Sequence, residues 1–468
     1  MDTDYWQSDY WHSLDKQTSK SMGISTDFIS VSTHPFKEQL QELKAKIFSG
    51  TKNVELSFIA TGSTPRQQGS TPEQYGREER EELRQLAKVN DIELTTHSPA
   101  GAPALSGFSS ESGGFVPEVQ EASLKELKRS IEFAADVARG GAIAVHAQEF
   151  RRPISEAGEK FEAYPKEKEK APIYFVNNKT GKIDGLPRDF EIPVPKGGFT
   201  DPERTKEGFV KEWERKKVSD FEKEAKEKGV EPVKYILENY YKKDLEFAEI
   251  EAKNYASQAK KVEREYEFIK KLRNNLEEQE KTNPENAKYN TIKWVEQFEQ
   301  ETRERLTPRE GSEEYKVFLN NPLTYLKEIE ERMKRTKNQT YEAADKQKFT
   351  IEENKKALSE IKPIQEYALE KTADAVARAG IYAYDKEKEM NLENPIVIAP
   401  ENVYTENYGG HPAELKKIIQ ESRKAFANKL VEQKKVSNRQ EAEKIAEERI
   451  KATFDIGHVN TWRKYFKG

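Results

Sequence analysis

From Met22 to His146, short apolar runs alternate with segments of helical periodicity, and this alternation limits the possible folds more than any other feature of the chain. A strand candidate lies within Met22–Ser32, followed by a helix from about Pro35 to Phe48 and a strand at Val54–Ala60. A helix from about Pro72 to Val89 leads to the run Ile92-Glu93-Leu94-Thr95-Thr96-His97. Another over Ser123–Arg139, stopped by Gly140-Gly141, leads to Ala142-Ile143-Ala144-Val145-His146. Strands separated by helices of this length predict βαβ units and a parallel sheet. The Gly/Ser/Pro-rich stretch Ser98–Pro117 predicts a long loop.

The alternation then stops until Ile364. Ile173-Tyr174-Phe175-Val176 and the Gly-containing turn before Ile183 predict a small hairpin. From Asp201 to about Ile361 the chain is dense in Glu and Lys, with long helical patterns broken near Gly229, Pro284, Pro308 and Pro322. Tyr255, Ala259, Val262, Tyr266 and Ile269 recur at alternating four- and three-residue spacing, the narrow seam of an antiparallel helical hairpin or coiled coil. This insertion explains a composition that is 35% charged and 35% hydrophobic, where ordinary domains run at about 25% and about 45–50%. Its charges belong on solvated helix faces, so Arg215-Lys216-Lys217, interleaved with acidic residues, is not read as a nucleic-acid patch.

A helix at Ile364–Ala379, a strand at Ile396–Glu401 and helices at Pro412–Glu432 and Arg439–Arg449 restore the pattern, and the run Ala452–His458 then predicts a sixth buried strand. A helix follows the insertion before the next strand, so the insertion replaces the loop after the fourth strand. The expected fold is an α/β, TIM (β/α)8-type barrel with a coiled-coil-like insertion. Six strands are visible where eight close a barrel, so the C-terminal part is expected to be incomplete. The expected divisions are an arm at 1–21, barrel strands at 22–150, hairpin and helical module at 151–362, and further barrel strands at 363–468.

His97, His146, Glu401, Asp455 and His458 all fall at predicted strand ends, which in a parallel barrel converge on one rim. Singly, each has an ordinary explanation: a polar strand terminus, a helix cap or a turn residue. Together they form a set of imidazoles and carboxylates suited to Zn²⁺, Mn²⁺ or Fe²⁺, and with no cysteine in the chain no softer ligand is available. His34 and His411 lie beside prolines in loops, His12 lies in the arm, and Glu149, just past His146, is a candidate acid or base that reads more readily as a surface residue. The Gly-rich pieces Gly107–Gly114 and Gly197-Gly198 lack phosphate-loop spacing.

The formal charge of −5 gives no global case for nucleic acid or an anionic membrane. The absence of cysteine, of a signal-like N-terminus and of any run of about 18 apolar residues leads to the expectation of a soluble, cytoplasmic protein with no membrane partner.

Thr95-Thr96-His97-Ser98-Pro99, Val145-His146, Ala399-Pro400-Glu401-Asn402 and Phe454-Asp455-Ile456-Gly457-His458-Val459-Asn460 resemble motifs of the xylose isomerase-like TIM-barrel superfamily. That group includes endonuclease IV-type apurinic/apyrimidinic endonucleases and sugar-phosphate isomerases and epimerases. The resemblance covers about Met22–Phe150 and Ile364–Asn460. It implies that His97, His146 and Glu401 hold one Zn²⁺, that Glu401 can bridge to a second, that Asp455 and His458 complete further metal positions, and that Glu401 and Asp455 are the catalytic carboxylates. The leading expectation is a divalent-metal hydrolase acting on a phosphodiester at damaged DNA. The alternatives are a sugar isomerase or epimerase, and an interaction protein that meets a partner through the helical insertion and keeps a relic metal site.

Overall fold

The computed structural model describes residues 29–60, 70–153, 166–196, 213–302 and 305–464. The arm expected at 1–21 and the first part of the first strand candidate lie outside them. The chain divides into two compact units, one formed by Met1–Asp189 with Ile361–Gly468 and the other by Phe190–Glu360.

The first unit is built on a five-stranded sheet. Strands β1 (Ser30–Ser32), β2 (Asn53–Ile59) and β3 (Glu93–Ala100) come first in the chain. A short hairpin, β4 (Phe108–Ser109) with β5 (Gly114–Phe115), then folds within the stretch expected to be loop, and β6 (Gly141–Ala147) follows. β7 (Ile173–Asn177) and β8 (Ile183–Leu186) form the predicted hairpin. β9 (Glu191–Pro195) and β10 (Trp213–Lys217) pair in the second unit; β11 (Ile361–Pro363) joins β7, and β12 (Ile396–Asn402) ends the series. The sheet order is β1-β2-β3-β6-β12 and every pair is parallel. The molecule is therefore a mixed α/β protein with a parallel sheet, and among the described residues the sheet does not close into a barrel.

Side-chain alternation assigns the two faces of the sheet. Val54, Leu56 and Phe58 of β2 and Leu94 of β3 pack with Leu43, Leu83 and Phe133 of the covering helices. Ile143 and Val145 of β6 and Ile396 and Ile398 of β12 pack with Ile131, Ala375, Phe426 and Leu430. Burial of side chains this large contributes roughly 1.5–3 kcal/mol each, so the helix-covered face is the source of cohesion. His97, His146 and Glu401 have the opposite parity on their strands and belong to the other face.

The sixth strand is the main correction. Lys451 N donates to Ile398 O (3.1 Å) and Thr453 N to Pro400 O (3.0 Å), giving two isolated parallel bridges beside β12 rather than a strand. The backbone then turns into the helix Ile456–Asn460, because the Asp455 carboxylate accepts from His458 N and caps it. Phe454 and Ile456, 53% and 76% exposed, meet no facing layer among the described residues that would bury an apolar strand.

In the second unit the helix Pro232–Thr282 pairs with Pro322–Ser359. Glu251 meets Gln347, Glu263 meets Tyr341, Arg273 meets Glu330 and Glu277 meets Lys327, so partners descend one helix as they ascend the other and the pair is antiparallel. Of the seam, Ala259, Tyr266 and Ile269 are buried, and Leu272 and Leu276 continue it. Prolines 284 and 322 open helices and Gly229 closes one, as their chemistry requires. The basic strand β10 is tied to acidic neighbours, Arg215 to Glu191 and Lys216 to Glu224. No helix among the described residues is long and apolar enough to cross a membrane.

The entry into β6 is a steric constraint. At Gly140 φ is +120°, and a Cβ there would lie 2.3 Å from the Asn394 carbonyl oxygen. Gly229 also has a positive φ (+66°), but an added Cβ meets nothing within 4 Å. In denaturant unfolding, Gly229→Ala is expected to lose about 1 kcal/mol, the left-handed strain alone. Gly140→Ala is expected to lose clearly more, and equal losses would contradict this account of the turn.

Candidate metal centre

Parallel strands bring His97, His146 and Glu401 together at their C-terminal ends. Glu401 stands opposite His146 in the register of β12 and β6, and His97 of β3 is opposite Ala144, two positions back on β6. His97 Nε2 lies 3.3 Å from Glu401 Oε2 and His146 Nε2 lies 4.0 Å from the same oxygen. The two imidazoles meet edge to face, with centroids 4.8 Å apart. Ligand atoms about 2.1 Å from a tetrahedral Zn²⁺ are about 3.4 Å apart, so the His97–Glu401 spacing already matches and the His146–Glu401 spacing is slightly long.

The hydrogen bonds sharpen the case. His97 Nδ1 is 2.7 Å from the Ser98 carbonyl oxygen, which can only accept. Nδ1 must therefore carry the hydrogen, and in the neutral ring Nε2 is a bare acceptor facing a carboxylate. Glu401 Oε2 is itself buried and accepts no hydrogen bond of acceptable geometry. Two acceptors facing each other in a largely buried site require a positive charge between them, either a proton or a metal ion. Burial opposes charge on His97, but the Glu401 carboxylate, with Glu55 and the Ser98 carbonyl, holds its pKa above the ordinary value. Burial and the neighbouring His97 push His146 down to about 4, against the pull of Glu401. His146 is thus neutral at pH 7 and presents a lone pair.

Asp455 and His458 also lie close to Glu401. Glu401, Asp455 and His458 form a second group whose ligand atoms lie within 4.8 Å of one another, as do those of His97, His146 and Glu401. His458 Nδ1 lies 3.0 Å from Asn402 O and 3.2 Å from Asp455 Oδ2. All five expected ligands are therefore gathered around one carboxylate. The sequence motifs included Asn402 but gave it no role. Asn402 is fully buried, and its side chain donates to Asp455 O and accepts from Asp455 N, both at 3.0 Å. It holds the terminal turn against β12.

Glu149 is a second correction, because it is fully buried rather than on the surface. Its Oε2 accepts from Ser106 N (2.6 Å) while Ser106 Oγ donates to Glu149 O, tying the 98–117 segment to the end of β6. Its one sequence signal was a place three residues past a strand-end histidine. His34 and His411 are structural: each Nδ1 accepts a backbone N–H two residues on, and His411 caps the helix Pro412–Glu432. His12 lies outside the described residues. Arg152, beyond β6, is held by Glu414 and lies over the Trp462 ring.

No family model matches the chain, and no curated protein or solved structure matches it either. The chemistry of the site therefore rests on its own geometry. The donor set of two imidazoles and a carboxylate, with a buried unpaired oxygen at its centre, fits a divalent ion.

Two titrations test these assignments. In metal-free protein the imidazole C2 protons of His97 and His146 are expected to report pKa values on opposite sides of about 6.5, His97 above and His146 at about 4. Because an ion displaces the His97 proton, Zn²⁺ affinity should fall as pH drops through the raised His97 value. Burial pushes the Glu149 carboxyl up to about 7, against the lowering effect of its bonds to Ser106. A raised carboxyl pKa means the native state keeps a proton that the unfolded chain releases. Stability should therefore fall as pH rises from about 4.5 to about 7 and level off above, with Glu149→Gln removing that slope.

Proposed function

We propose that the chain is a divalent-metal-dependent hydrolase of endonuclease IV type, cleaving a phosphodiester at damaged, abasic DNA. The observation that carries the reading is Glu401 Oε2, buried without a hydrogen bond between His97 and His146. The likeness of the His97, His146, Glu401-Asn402 and Asp455–Asn460 motifs to the xylose isomerase-like superfamily supports it. The parallel sheet, with its ligands on the face away from the helices, supports placing the first unit among TIM-type barrels. Zn²⁺ is the metal proposed, with Mn²⁺ second, because among the described residues the donors gathered here are imidazole nitrogen and carboxylate oxygen.

His97, His146 and Glu401 would hold the ion, with Asp455 and His458 beside Glu401 able to complete a second position. When bound, such an ion supplies Lewis-acid polarisation and lowers the pKa of coordinated water. The chain's own part is to fix the donors. The Ser98 carbonyl sets the tautomer of His97, the Asn402 carbonyl orients His458, and Asn402 anchors Asp455. Burial of Glu401 keeps bulk water from competing for its charge.

Full-length protein with Zn²⁺ or Mn²⁺ is expected to nick duplex DNA at an abasic site. Glu401→Gln should abolish nicking, and Asn402→Ala should lower it about 10- to 100-fold through lost ligand positioning. Absence of nicking with either metal would overturn the proposal. Metal-dependent exchange of the proton next to a sugar carbonyl would then favour the isomerase chemistry of the same superfamily.

A further inference from the structure

A cleft of about 470 Å³ opens beside the end of β6, lined in part by Phe108, Tyr174, Ile183, Arg151, Lys170 and Glu167. Its volume lies within the roughly 300–1,000 Å³ of small-molecule sites. Phe108 and Tyr174 present flat apolar walls, while Phe150, also lining the cleft, is buried and stacked on Tyr408 at 5.1 Å. The Phe150 ring is thus held by its own packing on Tyr408.

The rim is charged and unsatisfied. Among the described residues the side chains of Arg151 and Lys170 make no hydrogen bond or ion pair, although Arg152, next in the chain, is fully engaged by Glu414. Among the described residues Glu167 is the carboxylate lining the cleft, and it already has an interaction of its own. A guanidinium offers the two-pronged donor geometry that matches a phosphate, and a second cation lining the same cleft suits a dianion better than a carboxylate. Aromatic walls favour a flat ring at the other end of the same ligand.

We infer that this cleft binds a phosphate ester carrying a flat aromatic body, with Arg151 and Lys170 on the phosphate and Phe108 and Tyr174 against the ring. Its position ties it to the metal centre. Beyond β6 and β12 the two segments continue side by side, Tyr408 N donating to Phe150 O (2.8 Å) and Arg152 N to Glu406 O (2.7 Å). The cleft therefore lies past the same strand ends that carry His146 and Glu401. The inference deepens the phosphodiester proposal, since a nucleobase with its phosphate is such a ligand. It rests on that proposal only for the purpose of binding, not for binding itself.

The test is calorimetry on the full-length chain in chelator, with adenosine monophosphate and phenyl phosphate as probes and inorganic phosphate, adenosine and benzoate as controls. Both esters should bind at least about tenfold more tightly than any control, and Arg151→Glu and Lys170→Glu should each weaken them about tenfold or more. Both residues are exposed, so charge reversal leaves the core untouched, and circular dichroism checks this. His146→Ala should leave ester binding unchanged. Failure of the esters to bind, indifference to both charge reversals, or loss of binding in His146→Ala would each overturn the inference. Retained ester binding in a chain that does not nick DNA would overturn the hydrolase proposal alone.

Discussion

Two hydrogen-bond acceptors facing each other across 3.3 Å in a nearly dry site are the constraint on which the rest of the structure turns. The Ser98 carbonyl claims the only hydrogen of neutral His97, leaving Nε2 bare against Glu401 Oε2. Removed from water, such a pair repels unless a positive charge lies between the two atoms. A proton meets the requirement in the metal-free protein, which is why His97 holds its proton above the ordinary range while His146 beside it gives its own up. A divalent ion meets the same requirement with two imidazoles and a carboxylate already in place.

The fold maintains this arrangement by separating cohesion from chemistry. One face of the parallel sheet is packed against helices through Phe58, Phe133, Ile143, Ile398 and Phe426, and the alternate residues of the same strands carry the ligands. Strand register then fixes Glu401 opposite His146 without any contribution from flexible loops. The loops are tied in turn: Glu149 holds Ser106 to the end of β6, and Asn402 holds Asp455 to the end of β12. Backbone pairing of 149–152 with 406–408 extends the same order outward to the cleft walled by Phe108 and Tyr174.

Elements with strong local chemistry were legible in the sequence. Pro412 and Arg439 begin helices and Glu432 and Arg449 end them where periodicity and capping residues predict, and the parallel order of the strands follows from their alternation with helices. The convergence of His97, His146 and Glu401 was legible because each ends an apolar run. The Ala452–His458 run misled because periodicity does not register that Asp455 competes for the backbone as a helix cap, nor that Phe454 and Ile456 stay exposed. Glu149 misled because its burial depends on Ser106, forty-three residues away, and no local pattern encodes a tertiary hydrogen bond. Barrel closure depends on pairing between the first and last strands of a sheet, a long-range property that strand counting cannot supply.

X-ray absorption at the zinc edge, on full-length protein and on the His146→Ala variant, tests the metal assignment most directly. The expected result is one tightly held Zn²⁺ with nitrogen and oxygen ligands at about 2.0–2.2 Å and imidazole scattering from His97 and His146, part of which disappears in the variant. No stoichiometric zinc in the full-length protein, or a coordination shell indifferent to the loss of His146, would contradict it.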